Sequence, residues 1–444
     1  MGRLFGTDGI RGIVGEDLTH ELALKVGEAA AYVLGNGKEI KVLIGRDTRI
    51  SGQMLTSALS AGLMSQGAQV IDLGIVPTPA VSYLVKKYGA TMGVMISASH
   101  NPSEYNGIKL FNNEGFKLPD AVENEIEKYL LGKAVPNTMK VGTYEACDLA
   151  VDDYTDYLVA TSNSIKKNLK IIVDCANGSA STTASILFDK LGLDVILINY
   201  EYDGYNINDK AGSTHLDGLS KKVKKMKADI GIAYDGDADR CLIVDEKGDL
   251  VDGDQIMAIA SLMLKNENKL KNNTLVGTVM SNLGLIKFCE QNNINFEATK
   301  VGDRYVLEKM LECNYNIGGE QSGHIIFKDF ANTGDGELTS IQILYILSSL
   351  NKKMSDLASI MKKYPQVLVN VKVRDEAKRL YENDSKISKV IKEVETELNG
   401  EGRVLIRPSG TESLIRVMIE GLDQKEIERQ ANKIADIIGK KFGI

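Results

Sequence analysis

Asp235, Asp237 and Asp239 stand at alternate positions in the run Asp235-Gly236-Asp237-Ala238-Asp239-Arg240, directly after the apolar stretch Ile230 to Tyr234. Carboxylates so close together repel unless a cation sits among them, and a hard divalent ion is the simplest partner. A solvated acidic turn is the plain alternative, because Asp and Gly are common turn residues. A calcium EF-hand would put its last ligand at Glu246, but Arg240 occupies the position that needs glycine and Cys241 to Val244 reads as a strand. Too few ligands for a closed cage leave room for substrate oxygens, which is how Mg²⁺ is usually held. Ser99, in Ser97-Ala98-Ser99-His100-Asn101-Pro102, is either a nucleophile or a turn residue in a loop expected at the surface. A hydrolase triad is disfavoured, because neighbouring Ser99 and His100 side chains are expected to diverge and no G-x-S-x-G elbow occurs. Phosphoryl chemistry fits better, with Lys109 in the same loop region able to position a group or shuttle a proton.

Arg407-Pro408-Ser409-Gly410-Thr411-Glu412 combines a guanidinium, hydroxyls and a glycine that lets backbone N–H groups turn toward one anion, although a Pro/Gly hairpin turn reads the same way. Gly6 to Gly12 is a second glycine-rich loop, and it carries Arg11. Neither G-x-x-x-x-G-K-[ST] nor G-x-G-x-x-G occurs, so nucleotide P-loop and dinucleotide folds are unsupported.

These loops need elements to hold them, and three stretches share one order: strand, small-residue loop, helix, strand. Lys41 to Gly45 is a strand, Arg46 to Gly52 a loop, Gln53 to Gln66 a helix with Leu55, Leu59 and Leu63 four apart, and Val70 to Leu73 the next strand. The order recurs from Lys170 and again from Thr274. Strands separated by helices imply parallel sheet. Each repeat then continues through a helix and an apolar strand to a polar loop: Ser97 to Pro102, Asp235 to Arg240, and Glu320-Gln321-Ser322-Gly323-His324. Ligands in open α/β sheets bind beyond the carboxyl ends of strands, so three such loops facing one cleft would make a shared site. After Tyr364-Pro365 the pattern changes to strands at 367–373, 403–406 and 414–419 with charged helices. The expected architecture is three similar α/β domains with mainly parallel mixed sheets, over 1–150, 151–252 and 253–365, and a smaller C-terminal α+β domain over 366–444, around a central cleft.

A chain of 444 residues suits three or four domains, and 53 Lys+Arg against 60 Asp+Glu leave no basic surplus for nucleic acid or an anionic membrane. The most apolar long segment, Leu338 to Leu350, is interrupted by Thr339, Ser340 and Gln342, so no membrane span is expected. The opening residues lack a secretory leader, which points to the cytoplasm, and the five scattered cysteines read as reduced and mostly buried thiols.

Taken in order, Gly6 to Gly12, Ser97 to Pro102, Asp235 to Arg240, Glu320 to His324 and Arg407 to Glu412 resemble the motifs of the α-D-phosphohexomutase superfamily over essentially the whole chain. The resemblance implies an isomerase that moves phosphate between O6 and O1 of a hexose through a 1,6-bisphosphate. It implies a phosphorylated Ser99, one Mg²⁺ held by Asp235, Asp237 and Asp239 together with the phosphoserine, and sugar hydroxyls held by Glu320 and Ser322. His324 and Lys109 would assist proton transfer, and Arg11 and Arg240 would neutralise charge. Arg407, Ser409, Gly410 and Thr411 would hold the phosphate not being transferred, on a C-terminal domain acting as a mobile lid. The loops look most like the branch acting on glucosamine phosphates, implying a supply of activated amino sugar, with mannose or glucose phosphates as the runner-up. A metal sensor or phosphosugar-binding protein would need no Ser99, and a phosphatase would release free phosphate. The expected partner is a small phosphosugar, and the expected assembly a monomer or homodimer.

Overall fold

In the computed structural model, which describes residues 4–6, 8–36, 38–136, 138–162, 165–166, 168–374, 376–409 and 413–444, the first six strands build one mixed sheet. They are β1 (Ile10–Ile13), β2 (Lys41–Arg46), β3 (Gln69–Ile75), β4 (Met92–Ile96), β5 (Tyr105–Asn112) and β6 (Thr143–Ala146), in the order β1-β5-β4-β2-β3-β6. β2 runs parallel to β3 and β4, whereas β5 runs antiparallel to both β4 and β1. Val42, Leu43 and Ile44 of β2 and Val94, Met95 and Ile96 of β4 are all fully buried, as central strands covered on both faces must be. The helices His20–Gly35 and Ser51–Ser65 pack Val26, Ala30, Leu55, Leu59 and Leu63 into one core with Val42, Ile44 and Val94. They approach so closely that a Cβ on Gly62 would lie 2.0 Å from the carbonyl oxygen of Leu24.

The second sheet has β7 (Ile171–Asp174), β8 (Val195–Ile198), β9 (Ile230–Tyr234), β10 (Cys241–Asp245) and β11 (Leu250–Val251), in the order β11-β10-β9-β7-β8. The third has β12 (Thr274–Thr278), β13 (Asn295–Thr299), β14 (Ile317–Gly319) and β15 (Ile325–Phe327), in the order β13-β12-β14-β15. All three sheets share one device. A parallel strand turns back through a hairpin into an antiparallel one: β4 into β5, β9 into β10, and β14 into β15. Each polar loop singled out in the sequence is the connection of one of these hairpins. Asp252 begins the helix Gly253–Asn266 with a reciprocal capping box to Gln255.

The chain divides into two compact units, Met1–Met280 with Asn292–Ile360, and Ser281–Gln291 with Met361–Ile444. The first carries the three sheets. The second contains β16 (Gln366–Lys372), β17 (Arg403–Pro408) and β18 (Leu414–Glu420), all antiparallel in the order β16-β18-β17. Its helix Gln424–Phe442 places Ile427, Ala431, Ile434 and Ile438 along one face, against Val417 and Ile419 of β18. The helix Leu283–Gln291 belongs to this unit, where Asn282 donates 3.0 Å hydrogen bonds to the Tyr364 carbonyl and the Glu420 carboxylate.

Among the described residues no helix is long and apolar enough to cross a membrane. All five cysteines are free; Cys175, Cys241 and Cys289 are buried, and Cys147 and Cys313 are half-buried.

Candidate active site

Ser99 is held in a left-handed conformation, with φ +54°, at the tip of the β4–β5 connection. Its hydroxyl donates to Asp235 Oδ2 at 2.7 Å. Contrary to the sequence expectation the residue is buried, only 1% exposed, because the second sheet's loop closes over it. A second expectation also fails. Ser99 Oγ and His100 Nδ1 lie 3.3 Å apart rather than diverging, since the left-handed backbone swings the two side chains together. No hydrolase dyad results. Burial pushes the His100 imidazole down to about 4, helped by Arg240 and Arg11, and so weak a base cannot activate a serine.

The loop is stapled from behind by Arg49, whose buried guanidinium donates to the carbonyls of Ser99 (3.0 Å), Asn101 (2.8 Å) and Pro102 (2.5 Å) while pairing with Asp47. Asn208 adds a 2.9 Å bond to the Ser99 carbonyl. The Asp235 loop approaches so closely that a Cβ on Gly236 would lie 2.6 Å from that same oxygen, so glycine is required there.

Asp235, Asp237 and Asp239 offer carboxylate oxygens that all lie within 4.8 Å of one another, and all three residues are buried. Burial, with Asp239 and Asp237 alongside, drives the Asp235 carboxyl well above its usual range, and burial beside Asp237 raises Asp239. Burial opposes ionisation of Asp237 too, but Lys109 outweighs it and keeps that carboxyl low. Asp237 Oδ1 and Asp239 Oδ1 are buried without a hydrogen-bond partner among the described residues. An all-oxygen set with two orphaned acceptors and excess negative charge fits a hard divalent cation.

Lys109 is a strand residue of β5 and not part of a loop, and its side chain is 1% exposed. Burial works against its charge, yet Asp237 at 2.7 Å and Asp8 at 3.2 Å more than compensate and raise it, so it stays an ammonium. Asp8 also pairs with Arg11, and Lys117 Nζ lies 2.5 Å from its other oxygen. Arg240 donates its backbone N–H to Asp235 Oδ1 at 3.2 Å.

The third loop docks on the second. The Gly323 carbonyl accepts from the Cys241 N–H at 3.0 Å, and Gly323, at φ +93°, would drive a Cβ to 2.4 Å from the Cys241 oxygen. Glu320 accepts from the Gly302 N–H at 3.1 Å. His324 is buried, with Nε2 3.6 Å from Asp303 Oδ2 and 3.9 Å from Asp239 Oδ2. Neither ring nitrogen of His324, nor Ser322 Oγ, has a hydrogen-bond partner among the described residues. Such buried polar atoms fit a polar ligand. A cavity of about 200 Å³ lined by Phe116, Lys117, Asp303, Leu307, His324 and Ile326 adjoins them.

The structure therefore gathers Arg11, Ser99, Lys109, Asp235, Asp237, Asp239, Arg240, Glu320, Ser322 and His324 within the first unit. Arg407 and Ser409 lie in the second, at the end of β17, and Gly410 and Thr411 fall outside the described residues. There Arg407 stands directly across from Arg416 of β18, and burial with Arg416 nearby lowers its affinity for a proton. Like charges at opposed strand positions are unfavourable unless an anion joins them. Sequence reasoning missed Arg49, Asn208, Lys117, Asp303 and Arg416. Only Asp8 had a signal, being inside the Gly6 to Gly12 motif.

Models of the phosphoglucomutase/phosphomannomutase family match domain I at 2–134, domain II at 152–248, domain III at 252–364 and the C-terminal domain at 368–437. A relative from Caldicellulosiruptor bescii named phosphoglucosamine mutase is 56% identical over 100% of both chains. A solved phosphoglucomutase/phosphomannomutase family protein from Burkholderia thailandensis superposes with a TM-score of 0.82 at 25% identity, over 98% of each chain. An Aspergillus fumigatus N-acetylphosphoglucosamine mutase solved with GlcNAc-6P and magnesium shares the fold, with a TM-score of 0.72 at 18% identity over 99% of this chain and 96% of that one. With all four family domains present in order and a full-length relative above half identity, the chain belongs to the phosphoglucomutase/phosphomannomutase family and, within it, to the phosphoglucosamine mutases.

Proposed function

We infer that the chain interconverts glucosamine 6-phosphate and glucosamine 1-phosphate, with phosphorylated Ser99 as donor and a 1,6-bisphosphate as intermediate, and so supplies activated amino sugar. The observation that carries this reading is the 2.7 Å hydrogen bond from the Ser99 hydroxyl to Asp235, one of three clustered carboxylates. A phosphoryl group on that oxygen would meet a wall of negative charge, which makes sense only with a cation between them. Asp235, Asp237 and Asp239 would hold Mg²⁺, which when bound neutralises charge on the transferring phosphoryl group.

The remaining work belongs to the chain itself. In the first half-reaction the Oγ–P bond breaks as an O1–P bond forms, and the O1 proton must leave while Oγ gains one. In the second, the reverse exchange takes place at O6. His324, with both ring nitrogens free of hydrogen bonds among the described residues, would carry that proton. Lys109, paired with Asp237 at 2.7 Å, would assist that proton transfer, and Arg11 and Arg240 would stabilise phosphoryl charge. Glu320 and Ser322 hold sugar hydroxyls, and Arg407 and Ser409 bind the phosphate that is not reacting, with Gly410 and Thr411 beside them in sequence. The domains carrying these tasks are 1–150 (phosphoserine), 151–252 (metal), 253–365 (sugar) and 366–444 (phosphate). Five free cysteines suit a reducing cytoplasm. The chain acts as a monomer or a homodimer.

The test is peptide mass mapping of the purified chain followed by mutase assays on glucosamine, mannose and glucose 6-phosphates. Phosphate on Ser99 and preference for the glucosamine substrate are expected. Equal efficiency on mannose 6-phosphate would overturn the sugar assignment, and phosphate elsewhere would overturn the mechanism.

A further inference from the structure

Six charged or chargeable side chains close a ring inside the first unit. Asp239 lies 3.8 Å from Lys109, Lys109 3.2 Å from Asp8, Asp8 2.5 Å from Lys117, and Lys117 2.6 Å from Asp303. Asp303 lies 3.6 Å from His324, and His324 3.9 Å from Asp239, which completes the circuit. No side chain in the ring is more than 22% exposed. Lys109, His324 and Asp239 have tasks in the reaction proposed above. Asp8, Lys117 and Asp303 have none, yet they join Lys109 to His324 on the side away from Asp239.

Lys117 is the hinge of that arc. It follows β5 in the first sheet's domain, bridged by its backbone to Phe111, while Asp303 is the first residue of the helix Asp303–Cys313 in the third. One ammonium therefore ties two elements 186 residues apart in sequence. Burial disfavours its charge, but Asp303 and Asp8 outweigh that and raise it. Asp8 is shared by Arg11, Lys109 and Lys117, so its negative charge is divided among three cations. Take away Lys117 and a buried carboxylate is left to draw harder on Lys109, which must also serve Asp237 at 2.7 Å. Asp303 is likewise left to draw on His324.

We propose that Lys117 is a positioning residue, which through Asp8 and Asp303 fixes the Lys109 ammonium and the His324 ring in register for phosphoryl transfer. It touches no reacting atom. The inference rests on the mutase reading and predicts an effect on turnover more than on substrate affinity.

The experiment uses the full chain, with kcat and KM on glucosamine 6-phosphate, Ser99 phosphate content by mass, and the thermal midpoint of each variant. Lys117→Met keeps the aliphatic stem and removes the charge. It should lower kcat by roughly tenfold or more with KM changed by less than about threefold. Asp303→Asn should behave the same way, and the double variant should be no worse than the worse single one, because both break one circuit. Lys117→Arg restores the charge and should recover about half of kcat or more. Undiminished kcat in Lys117→Met, a loss confined to KM, or losses that multiply in the double variant would each overturn the proposal. If Lys117→Met does not fold, the decision passes to Asp303→Asn and Lys117→Arg: full kcat in the first, or no activity in a folded second, overturns it. A wild-type chain without mutase activity on any hexose phosphate would instead overturn the parent reading and this inference with it. Active wild type with insensitive Lys117 removes this inference alone.

Discussion

At Ser99 the backbone is strained, the residue is buried and the hydroxyl already points at a carboxylate, three conditions a casual turn serine would not meet together. Ser99→Ala should remove the phosphate found by mass mapping and lower mutase turnover by roughly a thousandfold or more, as loss of a nucleophile does. Circular dichroism should stay native, because the Arg49 and Asn208 bonds reach the carbonyl of residue 99 and not its side chain. The three aspartates, whose carboxylate oxygens lie within 4.8 Å of one another, should behave as one group. Single Asp→Asn changes at 235, 237 or 239 should each depress turnover strongly, while pairs should cost much less than the product of the singles. Dialysis against EDTA should abolish activity and Mg²⁺ should restore it; activity surviving chelation would remove the metal from the account. These residues were visible in the sequence because a catalytic loop keeps its members within a few positions of one another. Lys117 and Asp303 were not visible, since their pairing exists only after two distant elements meet and nothing local marks either one.

At the scale of elements, the hairpin return is what presents each loop. An antiparallel strand laid beside a parallel one exposes a short connection at the strands' carboxyl end, and the chain repeats this in three sheets. The strand–loop–helix rhythm gave away the parallel strands, because buried apolar runs alternate with helical spacing. The return strand was less legible: Lys109 read as part of the loop region that holds Ser99, whereas Gly107 pairs with Arg11 in register between β5 and β1. Arg49 illustrates another blind spot, for an arginine in the loop after a strand reads as solvated until its three carbonyl partners are known. Arg49→Lys should test its role, since an ammonium on a flexible stem cannot hold three acceptors in the geometry of a planar fork. It should lower both the thermal midpoint and kcat, the latter by roughly tenfold. Unchanged kcat would show that the loop keeps its shape without the staple.

Across the whole molecule, the three sheets of the first unit are joined by buried polar groups as well as by apolar contact. Glu337, at the start of the helix Gly336–Leu350, accepts a 2.7 Å bond from Thr183 of the second sheet's helix Ala180–Leu191. Burial, with Asp335 nearby, pushes its carboxyl up to about 8, and burial pushes Asp335 up to about 7. Both groups thus bind protons more tightly folded than unfolded, so their contribution to stability is full below the unfolded value near 4 and is lost as pH rises through about 7 to 8. Thermal midpoints should fall between pH 5 and pH 8, by roughly 2–4 °C for each kcal/mol lost. Glu337→Gln should flatten that decline, and an unchanged slope in the variant would mean the carboxyl is ionised in the native state. The ring through Asp8, Lys117 and His324 carries a different consequence, for the order in which the protein is made. His324 leaves the ribosome long after Lys109 and Lys117, by some tens of seconds at roughly 5–20 residues per second. Until the second sheet's loop emerges, Asp8 is alone among the carboxylates that the finished site sets against Lys109, Lys117 and Arg11, and Asp237 and Asp239 then reach Lys109. Lys117 gains its second carboxylate only when Asp303 is made, and a fragment released ahead of the second sheet's loop would carry a basic hollow where the finished enzyme has a balanced one.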